Sequence, residues 1–236
     1  DALLVIESPI PWLPPDESPS PDVPIAWLDP DPVQSRYKTM EFQADLWLSV
    51  DAAAGTRAIH DAATGMLSKS DMSRIADRRN RLERRKRELE AAEEERAKRA
   101  GQRVPIDPRW VSYQIRQTLE PESLLIDDAL SNSGTLRSYN CRSLPNTYFR
   151  RCGSSGGWGV GAAVGAKLAK PDSDVVLATG DGFFMFGSPL EALWGSSHHK
   201  APFLSVVYTN RSYSTGTSGA RSMYPKGNMA GKGEYI

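Results

Sequence analysis

Short, continuous apolar runs alternate with longer segments of helical periodicity along the chain. Leu3-Leu4-Val5-Ile6 predicts a strand. Pro9, Pro11, Pro14, Pro15, Pro19 and Pro21 follow. Prolines at this density lack amide hydrogens and fix φ, so a loop is expected. Residues 24–28 predict a second strand, closed by Asp29-Pro30-Asp31-Pro32, and residues 44–63 a short segment and then a helix. Ser70 can cap a helix that runs to about Ala100 and stops at Gly101. Further on, the pattern predicts a helix over 108–119, a strand over 123–126 and a polar turn over 127–134. Gly153-Ser154-Ser155-Gly156-Gly157-Trp158-Gly159-Val160-Gly161 then opens a small-residue helix to about Ala169. Strands of the buried type follow over 174–179 and 203–209, with a helix over 189–199 between them. Unalternating apolar strands separated by helices imply an α/β fold, a parallel sheet with helices on its faces. Composition divides the chain into 1–63, 64–103 and 104–236. No internal repeat is visible.

The middle region changes the picture most. It is built mostly of Arg, Lys, Glu and Ala, with opposite charges four apart at Arg79/Glu83, Arg84/Glu88, Lys86/Glu90 and Glu95/Arg99. Each such pair contributes about 0.2–0.5 kcal/mol. Ile75, Leu82 and Leu89 recur every seven residues and suggest a narrow apolar stripe. The region reads as a solvated linker helix resting on its own protein, with a coiled-coil partner helix as the alternative.

Over all 236 residues, 39% are apolar, and 29 Lys+Arg balance 29 Asp+Glu. Zero net charge argues against nucleic-acid coating. No apolar run approaches the roughly 18 residues of a membrane span. Two cysteines, Cys141 and Cys152, are too few for a disulfide framework or a four-ligand zinc site, and a reducing compartment is expected. With no targeting signal visible, a cytoplasmic location is expected. The chain opens on Asp1 with a strand and closes on Tyr235-Ile236 after a glycine-rich stretch, with no closing helix. It is expected to be an internal piece of a longer polypeptide.

The candidate chemistry lies in the last region. Val175-Val176-Leu177-Ala178-Thr179-Gly180-Asp181-Gly182 is followed by a helix and then Leu204-Ser205-Val206-Val207-Tyr208-Thr209-Asn210. Twenty-seven residues separate Gly182 from Asn210, about the length of a βαβ crossover. A right-handed crossover brings Asp181 and Asn210 to the same sheet edge, where open α/β sheets bind ligands. A carboxylate and an amide oxygen suit a hard cation such as magnesium, which keeps positions open for diphosphate oxygens. Glycines on both sides of Asp181 let the backbone approach the anion closely.

These residues resemble the thiamine-diphosphate motif of the acetolactate synthase and benzoylformate decarboxylase group. Gly161-Ala162-Ala163-Val164-Gly165-Ala166-Lys167-Leu168-Ala169-Lys170-Pro171-Asp172 is similar to the segment that precedes the motif there, and Trp27-Leu28-Asp29-Pro30-Asp31-Pro32 to the end of a central-domain strand. The resemblance implies that 1–63 is the end of a central α/β domain and 104–236 an incomplete diphosphate-binding domain, joined by the charged linker. It implies magnesium on Asp181, the Asn210 side chain and the Ser212 carbonyl. Gly180, Gly182, the Phe183 amide, Tyr213 and Ser214 would surround the diphosphate. Ser131, Asn132 and Ser133 stand where the first strand–helix turn also touches it. Ser154 and Ser155 fall near the aminopyrimidine.

Two positions depart from the pattern. The group places a bulky aliphatic side chain under the cofactor where this chain has Gly156, and Trp158 is the nearest substitute. Phe183 stands where a small or hydroxylated residue is common. The implied activity is decarboxylation or carboligation of a 2-oxo acid or 2-hydroxyacyl compound by a homodimer or homotetramer. The activating glutamate is expected from the N-terminal domain of a neighbouring subunit, so no catalytic residue is assigned. Flavin in the central domain is compatible with the resemblance but unsupported by residues 1–60. A catalytically degenerate cofactor-binding protein, or an interaction protein acting through the charged helix, is the alternative.

Competing motifs are weak. Gly157-x-Gly159-x-Gly161 lacks dinucleotide spacing, and no P-loop is present. His198-His199 reads as the end of a surface helix. Trp12, Trp27, Trp47, Trp110 and Trp194 are assigned to packing.

Overall fold

Two parallel sheets form, one near each end of the chain. The computed structural model describes residues 2–13, 17–32, 42–151 and 155–232, and the chain divides into two compact units, Asp1–Glu83 and Arg84–Ile236.

In the first unit, β1 (Leu3–Ile6), β2 (Ile25–Asp29) and β3 (Leu46–Ser49) pair in that order, all parallel. The short segment expected before the first helix is therefore β3. Trp27 and Leu28 on β2 are buried, and Trp27 stacks on Trp47 with ring centroids 5.6 Å apart. Asp51 caps α1 (Ala52–Met66) by accepting from the Ala54 amide at 2.9 Å. Gly55 on α1 permits contact with the sheet, since a Cβ there would come within 2.6 Å of Leu28 Cδ1. Pro9, Pro11, Pro19 and Pro21 lie outside helix and strand, as expected; Pro14 and Pro15 lie outside the described residues.

The charged segment is α2 (Lys69–Ala100). Ser68, not Ser70, caps it. The Ser68 hydroxyl accepts from the Asp71 amide at 3.2 Å while Asp71 Oδ2 accepts from the Ser68 amide at 3.0 Å. This reciprocal box needs an acid three residues after the cap, which Ser70 does not have. Of the four expected ion pairs, Lys86–Glu90 forms, at 3.9 Å; others are set at different spacings, such as Arg85–Glu88 and Arg96–Glu93. The stripe is also corrected. Leu82 is 63% exposed, whereas Ala97 is 0% exposed and packs with Tyr113, Tyr139 and Trp110. Small residues make this contact because they let the helix backbone approach the aromatic rings. Gly101 shares the constraint, since a Cβ there would lie 2.8 Å from the Trp110 ring.

The second unit continues with α3 (Pro108–Thr118), β4 (Leu124–Asp128), a short 3-10 turn over Leu130–Asn132 and α4 (Ser133–Tyr139). Then come β5 (Tyr148–Arg150), α5 (Gly159–Ala169), β6 (Val175–Gly180), α6 (Asp181–Phe186), α7 (Pro189–His198), β7 (Leu204–Tyr208), α8 (Ser214–Met223) and α9 (Asn228–Lys232). The strand order is β5-β4-β6-β7, all parallel. Alternate residues of β4 and β6 enter different clusters, as a period of two dictates. Leu125, Val176 and Ala178 pack with Ile115 of α3 and Leu136 of α4. Leu124, Ile126, Val175 and Leu177 pack with Val160 and Ala163 of α5. Both faces of the sheet are thus covered, which is why Leu124–Ile126 and Val175–Ala178 form unbroken apolar runs.

Several expectations are corrected here. Asp127 and Asp128 belong to β4 rather than to a turn, and are 1% and 0% exposed. The helix expected after Gly182 begins earlier, at Asp181. The glycine-rich end holds α8 and α9 where no closing helix was expected. Trp194 is 68% exposed and stacks on His198 rather than entering a core. Among the described residues, no helix is long and apolar enough to cross a membrane. Replacing Leu125 by Ala is expected to lower stability by about 2–5 kcal/mol in urea unfolding, whereas Leu82→Ala changes it by less than about 0.5 kcal/mol.

Candidate cofactor-binding site

After β4 the chain moves to β5 on one side and then returns past β4 to β6 on the other. The strand order reverses there, and such a reversal opens a crevice at the carboxyl ends of the strands. A cavity of about 210 Å³ lies there. The turn after β4 contributes Ala129, Leu130, Ser131 and Asn132; the junction of β6 and α6 contributes Gly180, Asp181, Gly182 and Phe183. Tyr208, Asn210, Ser212, Tyr213, Ser214, Thr215 and Gly216 line it from the β7 side.

Asp181 joins the tips of β6 and β7. Its Oδ2 accepts from the backbone amides of Asn210 at 3.1 Å and Arg211 at 2.8 Å, and its Oδ1 from that of Gly182 at 2.9 Å. Asn210 shapes the next turn: its Oδ1 accepts from the Ser212 amide and its Nδ2 donates to Ser214 Oγ, both at 2.9 Å. Arg211 between them has φ 54°, and Leu130 on the opposite wall φ 44°. Left-handed backbone at non-glycine residues is held in place by its surroundings and concentrates at functional sites.

Two buried carboxylates organise the β4 side. Asp127 Oδ1 accepts from Ser133 Oγ at 2.7 Å and the Ala129 amide at 3.1 Å, and Oδ2 from the Tyr148 hydroxyl at 2.7 Å. Asp128 Oδ2 accepts from the amides of Gly157 at 2.9 Å and Gly159 at 3.2 Å, and its Oδ1 lies 3.7 Å from Arg151 Nη1. Burial raises the Asp128 pKa above its ordinary 3.8, against the lowering effect of the Gly159 and Gly157 amides and of Arg151. Burial also pushes the Tyr208 phenol up to about 12; its hydroxyl lies 3.0 Å from Ser112 Oγ.

The structure therefore brings Ser131, Asn132, Gly180, Asp181, Gly182, Phe183, Asn210, Ser212, Tyr213 and Ser214 onto one cavity. It does not bring Ser155, Gly156 or Trp158 onto its wall: Ser155 is exposed, and Trp158 packs against the cluster around Val160 and Leu177. Gly156 instead lies against Phe183, whose ring atoms Cδ1, Cε1 and Cζ a Cβ at Gly156 would overlap. Ser133 is turned to Asp127, and Ser154 lies outside the described residues. Sequence reasoning missed Asp127, Asp128 and Arg151. The adjacent acids at the end of an apolar strand were the available signal.

The cavity's donors are oxygens and amides, the set that suits a hard cation and its anionic ligand. Among the described residues, no cluster of three or more His, Cys, Asp or Glu forms an alternative metal site.

The parallel sheet flanked by helices is consistent with a thiamine-diphosphate-binding fold. Residues 131–234 match the family described as thiamine pyrophosphate enzyme, C-terminal TPP binding domain. The chain is 35% identical over 130 residues to a probable acetolactate synthase of Mycobacterium bovis, covering 52% of this chain and 22% of that protein. It is 35% identical over 69 residues to a benzoylformate decarboxylase of Pseudomonas aeruginosa, covering 29% of this chain and 13% of that one. The chain thus spans about a fifth or less of the length of these relatives. A solved structure from Mycobacterium smegmatis, named for thiamin diphosphate dependence, superposes with a TM-score of 0.62 at 20% identity, over 89% of this chain and 38% of that one; this likeness speaks to the fold alone. The C-terminal part of the chain is accordingly related to thiamine-diphosphate-dependent enzymes of the acetolactate synthase and benzoylformate decarboxylase group.

Asp128 yields a prediction with two arms. Asp128→Ala leaves the Gly157 and Gly159 amides without their acceptor and removes the contact with Arg151, and is expected to cost about 3–5 kcal/mol in urea unfolding. Asp128→Asn keeps an oxygen for the amides and should cost less. Because the folded state raises this carboxyl's pKa, its contribution is fully present below the unfolded value and is lost as pH rises through the folded value. Stability measured from pH 4 upward should therefore fall more steeply in the wild type than in Asp128→Asn.

Proposed function

We propose that the chain holds thiamine diphosphate through magnesium and forms part of an enzyme that cleaves or makes a carbon–carbon bond beside the carbonyl of a 2-oxo acid or 2-hydroxyacyl compound. The observation that carries this is the meeting of Asp181 and Asn210, from the tips of adjacent strands, on one cavity within the matched segment. Asp181, the Asn210 amide oxygen and the Ser212 carbonyl would hold the cation. Asn132, Ser131, Ser214 and the amides at the start of α6 would face the diphosphate.

When bound, the group supplies an electron sink for the charge left by bond cleavage. The residues of this chain hold and orient it: Asp181 fixes the β7 tip through the Asn210 and Arg211 amides, and Asp127 fixes the turn that carries Ser131 and Asn132. A proton-transferring glutamate is proposed to come from another domain of a second copy. Met185, Phe186, Leu190 and Trp194 are large, apolar and exposed around α6 and α7, which supports a homodimer or homotetramer. A cytoplasmic small-molecule enzyme is the setting that fits best. Its relatives' names include a decarboxylase and acetolactate synthases.

Calorimetric titration tests the reading. The chain is expected to bind thiamine diphosphate when magnesium is present and to lose it on chelation. Asp181→Ala should weaken binding about 100-fold, the scale of losing a charge-assisted partner. Carbon dioxide release by the complete protein from a panel of 2-oxo acids then separates an active enzyme from a degenerate binder. Binding that is indifferent to magnesium, or unchanged in Asp181→Ala, would contradict the reading.

A further inference from the structure

The cavity has two chemically different walls. Around Asp181 and Asn210 it offers amides, hydroxyls and carboxamide groups, which suit the charged end of a ligand. An organic group attached to that end must rest on something apolar. Among the aromatic residues on the wall, Tyr208 is buried with its hydroxyl beside Ser112, and Tyr213 is half exposed and stacked on Phe186. Phe183 differs from both. Its ring is half-buried, the Arg151 guanidinium lies 5.0 Å from its centroid, and its atoms fill the space that a side chain at Gly156 would need. Arg151 is itself placed by the buried Asp128, whose other oxygen holds Gly157 and Gly159. Arg151, just after β5, and Gly156, in the loop before α5, thus meet one ring carried by α6, with Asp128 of β4 behind Arg151.

We propose that the Phe183 ring, seated against Gly156 and beside Arg151, is the positioning surface for the heterocyclic end of the bound cofactor. This rests on the thiamine-diphosphate reading above. Positions 156 and 183 form a reciprocal pair: only one of them can carry a large side chain, and here the helix supplies it instead of the loop. A planar heterocycle gains from an aromatic surface both by burial and by ring–ring contact.

The test compares two ligands on the full chain with magnesium present, thiamine diphosphate and inorganic pyrophosphate, by calorimetry. Phe183→Ala is expected to weaken thiamine diphosphate about 10-fold and pyrophosphate by less than about twofold, because pyrophosphate has no ring to seat. The double variant Gly156→Leu/Phe183→Ala should recover most of the loss, since a side chain from the loop re-enters the vacated space. Phe183→Leu, which keeps apolar bulk, should fall between and guards against a variant that fails to fold. Equal weakening of both ligands, unchanged or tighter thiamine diphosphate binding in Phe183→Ala, or no recovery in the double variant would overturn the assignment. A wild-type chain that binds pyrophosphate but not thiamine diphosphate would overturn it as well. A wild-type chain that binds neither overturns the cofactor reading first and this assignment with it, so the two failures are distinguishable.

Discussion

One carboxylate ties two strand tips together. Asp181 accepts from the amides of Asn210 and Arg211, and this fixes where β7 hands over to the turn that carries Ser212, Tyr213 and Ser214. Without that acceptor the two amides would lose the bond that holds them to the tip of β6, and the Asn210 side chain would lose its frame. The same carboxylate keeps lone pairs that a cation could use. If Asp181 binds the ion as proposed, the group that holds the ligand also builds its own site, and ligand placement would depend on the integrity of the sheet edge.

The β4 side obeys the same logic with fully buried rather than half-buried acids. Asp127 and Asp128 are adjacent on β4, so their side chains point to opposite faces of the sheet. Asp127 gathers Ser133, Ala129 and Tyr148 and so shapes the turn after β4. Asp128 gathers Gly157, Gly159 and Arg151 and so shapes the loop before α5. Burying two carboxylates is costly unless they are paired and hydrogen-bonded. Here each is met by backbone or side-chain donors from a segment that must be held in place.

Much of the fold was legible because the strands of these parallel sheets carry unbroken apolar runs, whether central and buried, as in β6, or at a more exposed edge, as in β1 and β7. β1, β6 and β7 fall close to where their Val, Leu and Ile runs lie, and the crossover spacing placed Asp181 and Asn210 on one edge. β5 escaped because three residues, Tyr148–Arg150, carry too little pattern. Asp127 and Asp128 were read as a turn because charge usually marks the surface, and only the tertiary partners show why they are buried. In α2 the apolar spacing of Ile75, Leu82 and Leu89 pointed to the wrong face. Close contact with aromatic rings there favours alanine, a residue whose periodicity is weak. Gly156 and Phe183 looked like two separate departures from a familiar pattern. In space they are one contact, which a linear reading could not join.

The central claim is that Asp181 and Asn210 serve one divalent ion that carries a diphosphate. Crystals of the chain grown with magnesium and thiamine diphosphate test it most directly. The account predicts an ion within about 2.1 Å of both an Asp181 carboxylate oxygen and Asn210 Oδ1, bridging to the diphosphate. An ion placed elsewhere, or diphosphate bound while Asn210 Oδ1 keeps only the Ser212 amide, would contradict it.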